Sequence, residues 1–342
     1  MAKGRPTTRQ TEDDDLVERA AWLHFVGGLA QGEVAARLGM STTRAHRAIS
    51  KAQASGIVQI VVNATSATCL EMENKIAETY ELSLCRVAMD LPERGPLPLK
   101  SLGAAGGDWL TQAITSKAHD VIGVAHGRTI AAMVEQLGRT PKTEKVFVSL
   151  LGGLTRSLAA NPYDVIHRLA QKTGADAYLM PVPLFADSAG DREVMLAQSM
   201  LTEAFNRMHS ATLAVVGIGD LSTSIGASMA GTQGFNVGQS LRQSGAAAEI
   251  LGQFIDENGA KIATPLDGRT MALDLCDLKG RDVVAVAGGN GKVSAIRAAL
   301  RSGILTGLII DEATARILVE GLEGKDAVAA DQLRALGGQG NA

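Results

Sequence analysis

Four glycine-rich stretches carry residue types suited to holding an anion. They are Gly123-Val124-Ala125-His126-Gly127-Arg128-Thr129, Gly152-Gly153-Leu154-Thr155-Arg156, Gly217-Ile218-Gly219-Asp220 and Gly288-Gly289-Asn290-Gly291-Lys292. Each continues an apolar run of strand type. Glycine lets backbone N–H groups approach an anion closely, and a helix that starts there adds its positive N-terminal end. Thr129 brings a hydroxyl, Arg128 and Lys292 full positive charge. The set describes a phosphate seat better than a dinucleotide site, because no GxGxxG opens a helix. Turn geometry alone would explain the glycines of any one stretch. Four of them together, with cations, point to a phosphorylated ligand.

Asp220, Glu249 and Asp187 are able to accept hydrogen bonds from the hydroxyls of a sugar or polyol. Each is equally suited to capping a helix or facing solvent, and for Asp187 that plainer reading is preferred. His126 sits inside the first glycine-rich stretch, where a ligand contact competes with an ordinary structural role. No Ser-His-Asp set, HExxH or Walker lysine motif is found, and no group of suitable pKa is placed for acid–base work on a sugar. No catalytic residue, metal site or cofactor is expected. Cys69, Cys85 and Cys276 are scattered, with no CxxC, which fits a reduced cytoplasmic protein better than a disulfide framework or a zinc site.

A second set of residues is suited to DNA. Gln31 to Ile57 reads as two short helices with a tight turn between them, Gly39 ending the first and Ser41 capping the second. The second helix, Thr42 to Ala54, turns Ala45, Ile49 and Ala52 inward. Thr42, Thr43, Arg44, Arg47 and Lys51 are left for DNA, and the helix has no acidic residue. Helix, glycine turn, cap and one-signed helix in that order fit a helix-turn-helix whose second helix enters the major groove.

The elements that hold these residues follow from composition and periodicity. The chain has 342 residues, 46% of them hydrophobic and 38 of them glycine, which is room for more than one domain and a sizeable core. Aromatics at 3% argue against base stacking as the main binding mode, and a net charge of −3 excludes a general basic coat. DNA binding therefore rests on a local patch. No apolar run is long enough to span a bilayer, and the polar N-terminus is not a signal peptide.

Residues 1–15 read as a disordered tail and 16–62 as the helix-turn-helix domain. In the latter, Leu16 to Val26 is a supporting helix, Gly56 ends the reading helix and Ile57 to Val62 is a strand or wing. Residues 63–68 read as a hinge and 69–336 as the effector-binding and oligomerisation domain. There Cys69 to Tyr80 is a helix, and strands are expected at Leu84–Met89, Asp120–Ala125, Lys145–Leu151, Ala177–Val182, Thr212–Ile218, Asp282–Ala287 and Thr306–Asp311. Amphipathic helices lie between them, as at Pro162 to Lys172, with Asn161 as cap, and at Ala295 to Arg301. Continuous apolar strands alternating with helices indicate a doubly wound α/β fold with a mostly parallel sheet.

With these segments in place, the chain resembles the SorC/DeoR-type transcriptional regulators of bacterial carbohydrate metabolism over essentially its whole length. The stretch AAWLHFVGGLAQGEVAARLGMSTTRAHRAISKAQASGIVQIVV is similar to that family's DNA-binding domain. The closing AGGNGKVSAIRAALRSGILTGLIIDEATARIL is similar to its C-terminal signature, and GVAHGRTI, LLGGLTR, MPVPLFADS, VVGIGDL and GAAAEILGQFID follow its pattern between. The resemblance implies a winged-helix-like module joined to a sugar-binding domain related to glucosamine-6-phosphate deaminase. It implies a sugar or polyol effector, phosphorylated by preference, and dimers or tetramers on double-stranded operator DNA. Carried over by position, Gly127, Arg128, Thr129, Gly219, Asp220, Glu249 and Lys292 are the effector contacts, with Gly153 of the second glycine-rich stretch beside them.

One departure bears on catalysis. The related isomerases and deaminases carry a histidine and acidic residues just past the turn that corresponds to Gly217-Ile218-Gly219. Here the chain continues Asp220-Leu221-Ser222-Thr223-Ser224. The expected function is thus a non-enzymatic, ligand-responsive regulator of a carbohydrate or polyol operon. The alternatives are a sugar-phosphate isomerase or deaminase with an accessory DNA module, and a DNA-binding protein without an effector.

Overall fold

The apolar runs become strands β1 (Leu84–Ala88), β2 (Val121–Val124), β3 (Val146–Gly153), β4 (Asp176–Pro183) and β5 (Leu213–Val216). A short hairpin of β6 (Ala246–Ile250) and β7 (Gln253–Asp256) follows, then β8 (Asp282–Val286) and β9 (Gly307–Asp311). The computed structural model describes residues 8–55, 57–58, 66–138, 142–153, 164–221, 241 and 243–322. It forms two compact units, one built mainly from Met1–Asn63 and the other from Ala64–Gln136 and Thr140–Ala342.

In the second unit a seven-stranded sheet has the order β1-β9-β8-β5-β2-β3-β4, and every strand pair in it is parallel. All residues of β5 and β9 are buried, as expected of apolar strands covered on both faces. The chain runs outward from β2 to β4, then returns to β5 on the other side of β2. That reversal creates the crevice at which open α/β sheets take ligands. The strands preceding the four glycine-rich stretches, β8, β5, β2 and β3, are consecutive in the sheet and present their carboxyl ends along one edge.

Helices cover or flank the sheet, among them seven with both ends described and a further helical run over residues 312–322. The seven are α4 (Ala67–Tyr80), α5 (Leu99–Thr115), α6 (Arg128–Gln136), α7 (Ile166–Thr173), α8 (Ala189–Leu196), α9 (Ser199–His209) and α10 (Val293–Arg301). Gly103, Gly106 and Gly107 share one face of α5, and a Cβ at any of them would meet Ala132, Met133 or Gln136 of α6. This close approach fixes α6, whose first turn carries Arg128 and Thr129. Among the described residues no helix is long and apolar enough to cross a membrane.

The first unit holds α1 (Thr8–Ala21), a wider π-type turn at Trp22–Val26, α2 (Gln31–Arg37) and α3 (Thr42–Ala54). Gly39 takes φ 62°, and the Met40 N–H returns 3.0 Å to the Ala35 carbonyl, closing α2 as expected. The Ser41 hydroxyl accepts the Arg44 N–H at 3.3 Å and caps α3. Val17, Ala20, Val34, Ala35, Ala45, Ile49 and Ala52 form the core of this unit. Burying a side chain the size of Ile49 contributes about 1.5–3 kcal/mol.

Several expectations need correction. Residues 8–15, read as disordered, belong to α1: Asp15 pairs with Arg19 at 2.8 Å, and Asp13 and Asp14 face Arg44 and Lys51, so these three carboxylates have partners. Trp22, the first residue of the π-type turn in the expected supporting helix, is 66% exposed. The hinge cannot extend to Thr68, because α4 begins at Ala67 to bring Cys69, Met72 and Ile76 onto one buried face. Helix α7 begins at Ile166 rather than Pro162, with Asp164 accepting the Ile166 N–H at 3.1 Å. Asn161 and Pro162 lie outside the described residues, as do residues 1–7, Gly56, most of the expected wing and everything after Leu322. The β6–β7 hairpin was not foreseen.

Candidate functional site

Strand β2 ends at Val124, and the chain passes through Ala125, His126 and Gly127 into α6. Gly127 takes φ 140°, a conformation that disfavours any side chain. Its carbonyl accepts the Ala131 N–H at 2.8 Å, which starts the helix at Arg128. Thr129 is buried, and a Cβ on Gly217, past the end of β5, would lie 3.7 Å from its Oγ1. Thr129 thus faces the β5 turn across the reversal point of the sheet.

Past β5, Gly219 exchanges both backbone hydrogen bonds with Glu249 of β6, each at 2.9 Å. The hairpin turn, with Leu251 at φ 53° and Gly252 at φ 76°, directs the Gly252 N–H to Glu249 Oε1 at 3.1 Å. A carboxylate that is only 4% exposed is thereby held at the β5 edge. A Cβ on Gly219 would sit 3.0 Å from Glu249 Oε2, so the absence of a side chain there makes room for the carboxylate.

Past β8, Gly289 at φ 101° leads into a short turn at Asn290–Lys292 and then α10. Its N–H donates to Asp311 Oδ1 at 3.0 Å and to Thr314 Oγ1 at 2.8 Å. Asp311 Oδ2 accepts from both the N–H and the hydroxyl of Thr314. A Cβ on Gly288 would collide with Asp311. The turn that carries Lys292 is therefore clamped from the end of β9. Sequence reading missed Asp311 and Thr314, since a strand-final aspartate has no signature of its own.

Lys292 is 8% exposed, and its Nζ donates to the Ile218 carbonyl at 2.6 Å. Burial pushes its pKa below the ordinary lysine value. Asp220 and Glu249 favour the charged form, while Arg128 opposes it. Three of the expected effector contacts, Arg128, Asp220 and Glu249, thus act on a fourth, Lys292, at the carboxyl ends of β2, β5 and β8. Gly127 and Thr129 join them through the β2 turn. Gly153 is different. It is the last residue of β3, opposite Pro183, and its carbonyl accepts the Leu184 N–H at 3.0 Å. Leu154 to Arg156 lie outside the described residues. Asp187 is exposed just before α8.

Pairing of β2 with β3 brings His126 Nε2 to 3.1 Å from Ser149 Oγ, with Asp164 Oδ1 3.9 Å from His126 Nδ1. Sequence reading missed this serine–histidine–aspartate grouping, because its members come from separate segments. Ser149 Oγ lies 2.7 Å from the Leu151 carbonyl, an acceptor only, so the hydroxyl proton is directed there. Nε2 must then donate to the serine oxygen. The imidazole is oriented as a donor, the reverse of the arrangement that activates a serine nucleophile.

In the first unit Thr42, Thr43, Arg44, Arg47 and Lys51 are all exposed on α3, while Ala45, Ala48, Ile49 and Ala52 are buried. The spacing of Arg44, Arg47 and Lys51 puts them on one stripe of the helix.

Comparison with known proteins agrees with this architecture. Residues 65–320 match the family described as "Putative sugar-binding domain". The erythritol catabolism regulatory protein EryD of Brucella abortus is 46% identical over 92% of this chain and 99% of its own length. The transcriptional regulator LsrR of an Enterobacter species is 26% identical over 90% of this chain and 93% of its own. The full-length sorbitol operon regulator SorC from Klebsiella pneumoniae superposes with a TM-score of 0.67 at 24% identity, over 90% of this chain and 99% of that one, which speaks for the fold. The chain belongs to the SorC/DeoR-type sugar-binding transcriptional regulators.

Proposed function

We propose that the protein is a DNA-binding transcriptional regulator of a carbohydrate or polyol catabolic operon, whose operator affinity is set by a small effector. The observation that carries this reading is the grouping of Arg128, Asp220 and Glu249 around buried Lys292 at the reversal point of the sheet. Cations there suit a phosphate ester, and the two carboxylates suit hydroxyl groups. Gly127, Arg128, Thr129, Gly219, Asp220, Glu249 and Lys292 are the proposed contacts, with Gly153 at the adjoining strand end. The relative named for erythritol catabolism supports a short polyol, free or phosphorylated, as the first probe.

The first unit is the reading head. Helices α2 and α3, with the Gly39 turn and Ser41 cap, form its helix-turn-helix, and Thr42, Thr43, Arg44, Arg47 and Lys51 meet double-stranded operator DNA. A bidentate arginine–guanine contact contributes about 1–3 kcal/mol of discrimination. One head reads too few base pairs to select a genomic site, so a cytoplasmic homodimer or homotetramer on a palindromic or repeated operator completes the proposal. Coupling of about 1–3 kcal/mol between effector and operator would change DNA affinity by several-fold to about a hundredfold.

The hydrogen-bond direction around Ser149 and the absence of histidine after Gly219 support a receptor rather than an enzyme, on a sheet of the sugar-phosphate deaminase kind. A thermal-shift screen of erythritol, other polyols, sugars and their phosphates, followed by operator binding with each hit, tests the reading. Turnover of a sugar phosphate, or the lack of any ligand that alters operator binding, would overturn it.

A further inference from the structure

Asp13 and Asp14 of α1 lie beside the cationic stripe of α3. Asp13 Oδ1 is 3.9 Å from Arg44 Nη2, and Asp14 Oδ1 is 3.3 Å from Lys51 Nζ. All four side chains are more than half exposed, at 53–63%. The two aspartates address the two ends of the stripe. Arg47, between them, has no acidic partner among the described residues. Asp15, the next residue, pairs instead within its own helix, with Arg19 at 2.8 Å.

Exposed ion pairs of this kind add little to stability, so stability does not account for the placement. Their effect on DNA is larger. A phosphate approaching Arg44 or Lys51 must displace a carboxylate and come close to a like charge. Binding to arbitrary duplex is almost wholly electrostatic, so that penalty falls on it directly. We propose that Asp13 and Asp14 occupy the phosphate-binding cations of the reading helix intramolecularly and hold down sequence-independent DNA affinity. The proposal rests on α3 being the DNA-reading helix.

The test uses the full-length protein and fluorescence anisotropy on a random-sequence duplex of about 30 base pairs, at about 50 mM and about 200 mM salt. Asp13→Asn with Asp14→Asn should tighten binding about three- to tenfold at the lower salt, with the gain shrinking at the higher. Asp15→Asn, which removes one charge outside the stripe, should change affinity less than about twofold. Arg47→Ala should weaken binding in both the wild-type and the double-variant background. Circular dichroism checks that each variant is folded. Unchanged or weaker binding by the double variant, with Arg47→Ala still weakening it, would overturn the proposal alone. An Arg47→Ala variant that binds like wild type would remove the DNA-reading assignment of α3, and this proposal with it.

Discussion

The Nζ of Lys292 donates to the carbonyl of Ile218 at 2.6 Å, so the turn after β8 is tied to the turn after β5. The two residues are 74 positions apart in sequence, and only the neighbouring places of β8 and β5 in the sheet bring them together. The bond spends one of the three ammonium protons and leaves the others for Asp220, Glu249 or a ligand.

Replacing Lys292 with Met should strand the Ile218 carbonyl and cost about 1–3 kcal/mol in urea unfolding. The pH dependence has a definite sign. Burial holds the folded-state pKa of Lys292 below its ordinary 10.5, so between that lowered value and 10.5 the unfolded chain binds more protons. Stability from this group therefore rises with pH in that window, and below it the cost of burying the charge stands in full. The difference in unfolding free energy between wild type and Lys292→Met should move in favour of the wild type across the window. A flat difference would show that burial does not perturb the amine.

A Cβ on Gly288 collides with Asp311, whereas Gly291, two residues past Gly289 in the same turn, has open space around it. Gly288→Ala should destabilise the fold by at least about 2 kcal/mol, and Gly291→Ala by less than about 1 kcal/mol. Thermal denaturation of the pair checks this. Equal losses would mean that the clamp from β9 does not fix the turn.

Ser41 accepts the Arg44 N–H and caps the helix that carries the proposed DNA contacts. Ser41→Ala should cost about 1 kcal/mol. Ser41→Asp should retain the cap, and calorimetry of the two variants separates lost capping from a general surface effect.

All three cysteines are free, with Cys69 buried and Cys276 exposed. Burial pushes the Cys85 thiol up to about 12, which leaves almost no thiolate near neutrality. A thiol reagent applied to the native protein should modify Cys276 first, with Cys69 and Cys85 reacting only on unfolding. Mass spectrometry of labelled peptides reads the order. Rapid native labelling of Cys85 would contradict its burial.

The sheet strands were legible because each is a continuous apolar run, and the seven expected segments all coincide with strands of the parallel sheet. Gly39 and Ser41 were legible for a similar reason. Turn and cap chemistry acts over a few residues, so the sequence determines it locally.

The β6–β7 hairpin escaped notice because its turn is Leu251-Gly252 rather than an Asn-Gly or Asp-Gly pair. Buried Leu251 accepts φ 53° within tertiary packing, a conformation that its residue type does not announce. Asp13 and Asp14 read as part of a tail because the cations opposite them lie on another helix, beyond any local window.

By itself the sequence determined the seven strands of the parallel sheet, where the glycines fall at strand ends, and which helix of the first unit is basic outward. Tertiary structure alone decided that Asp311 clamps the Lys292 turn, that Glu249 reaches Gly219, and that Ser149 directs its proton away from His126. The division has a physical cause. Hydrophobic period and backbone conformation are local properties of a chain, whereas a hydrogen bond between distant residues exists only after the strand order has placed them side by side.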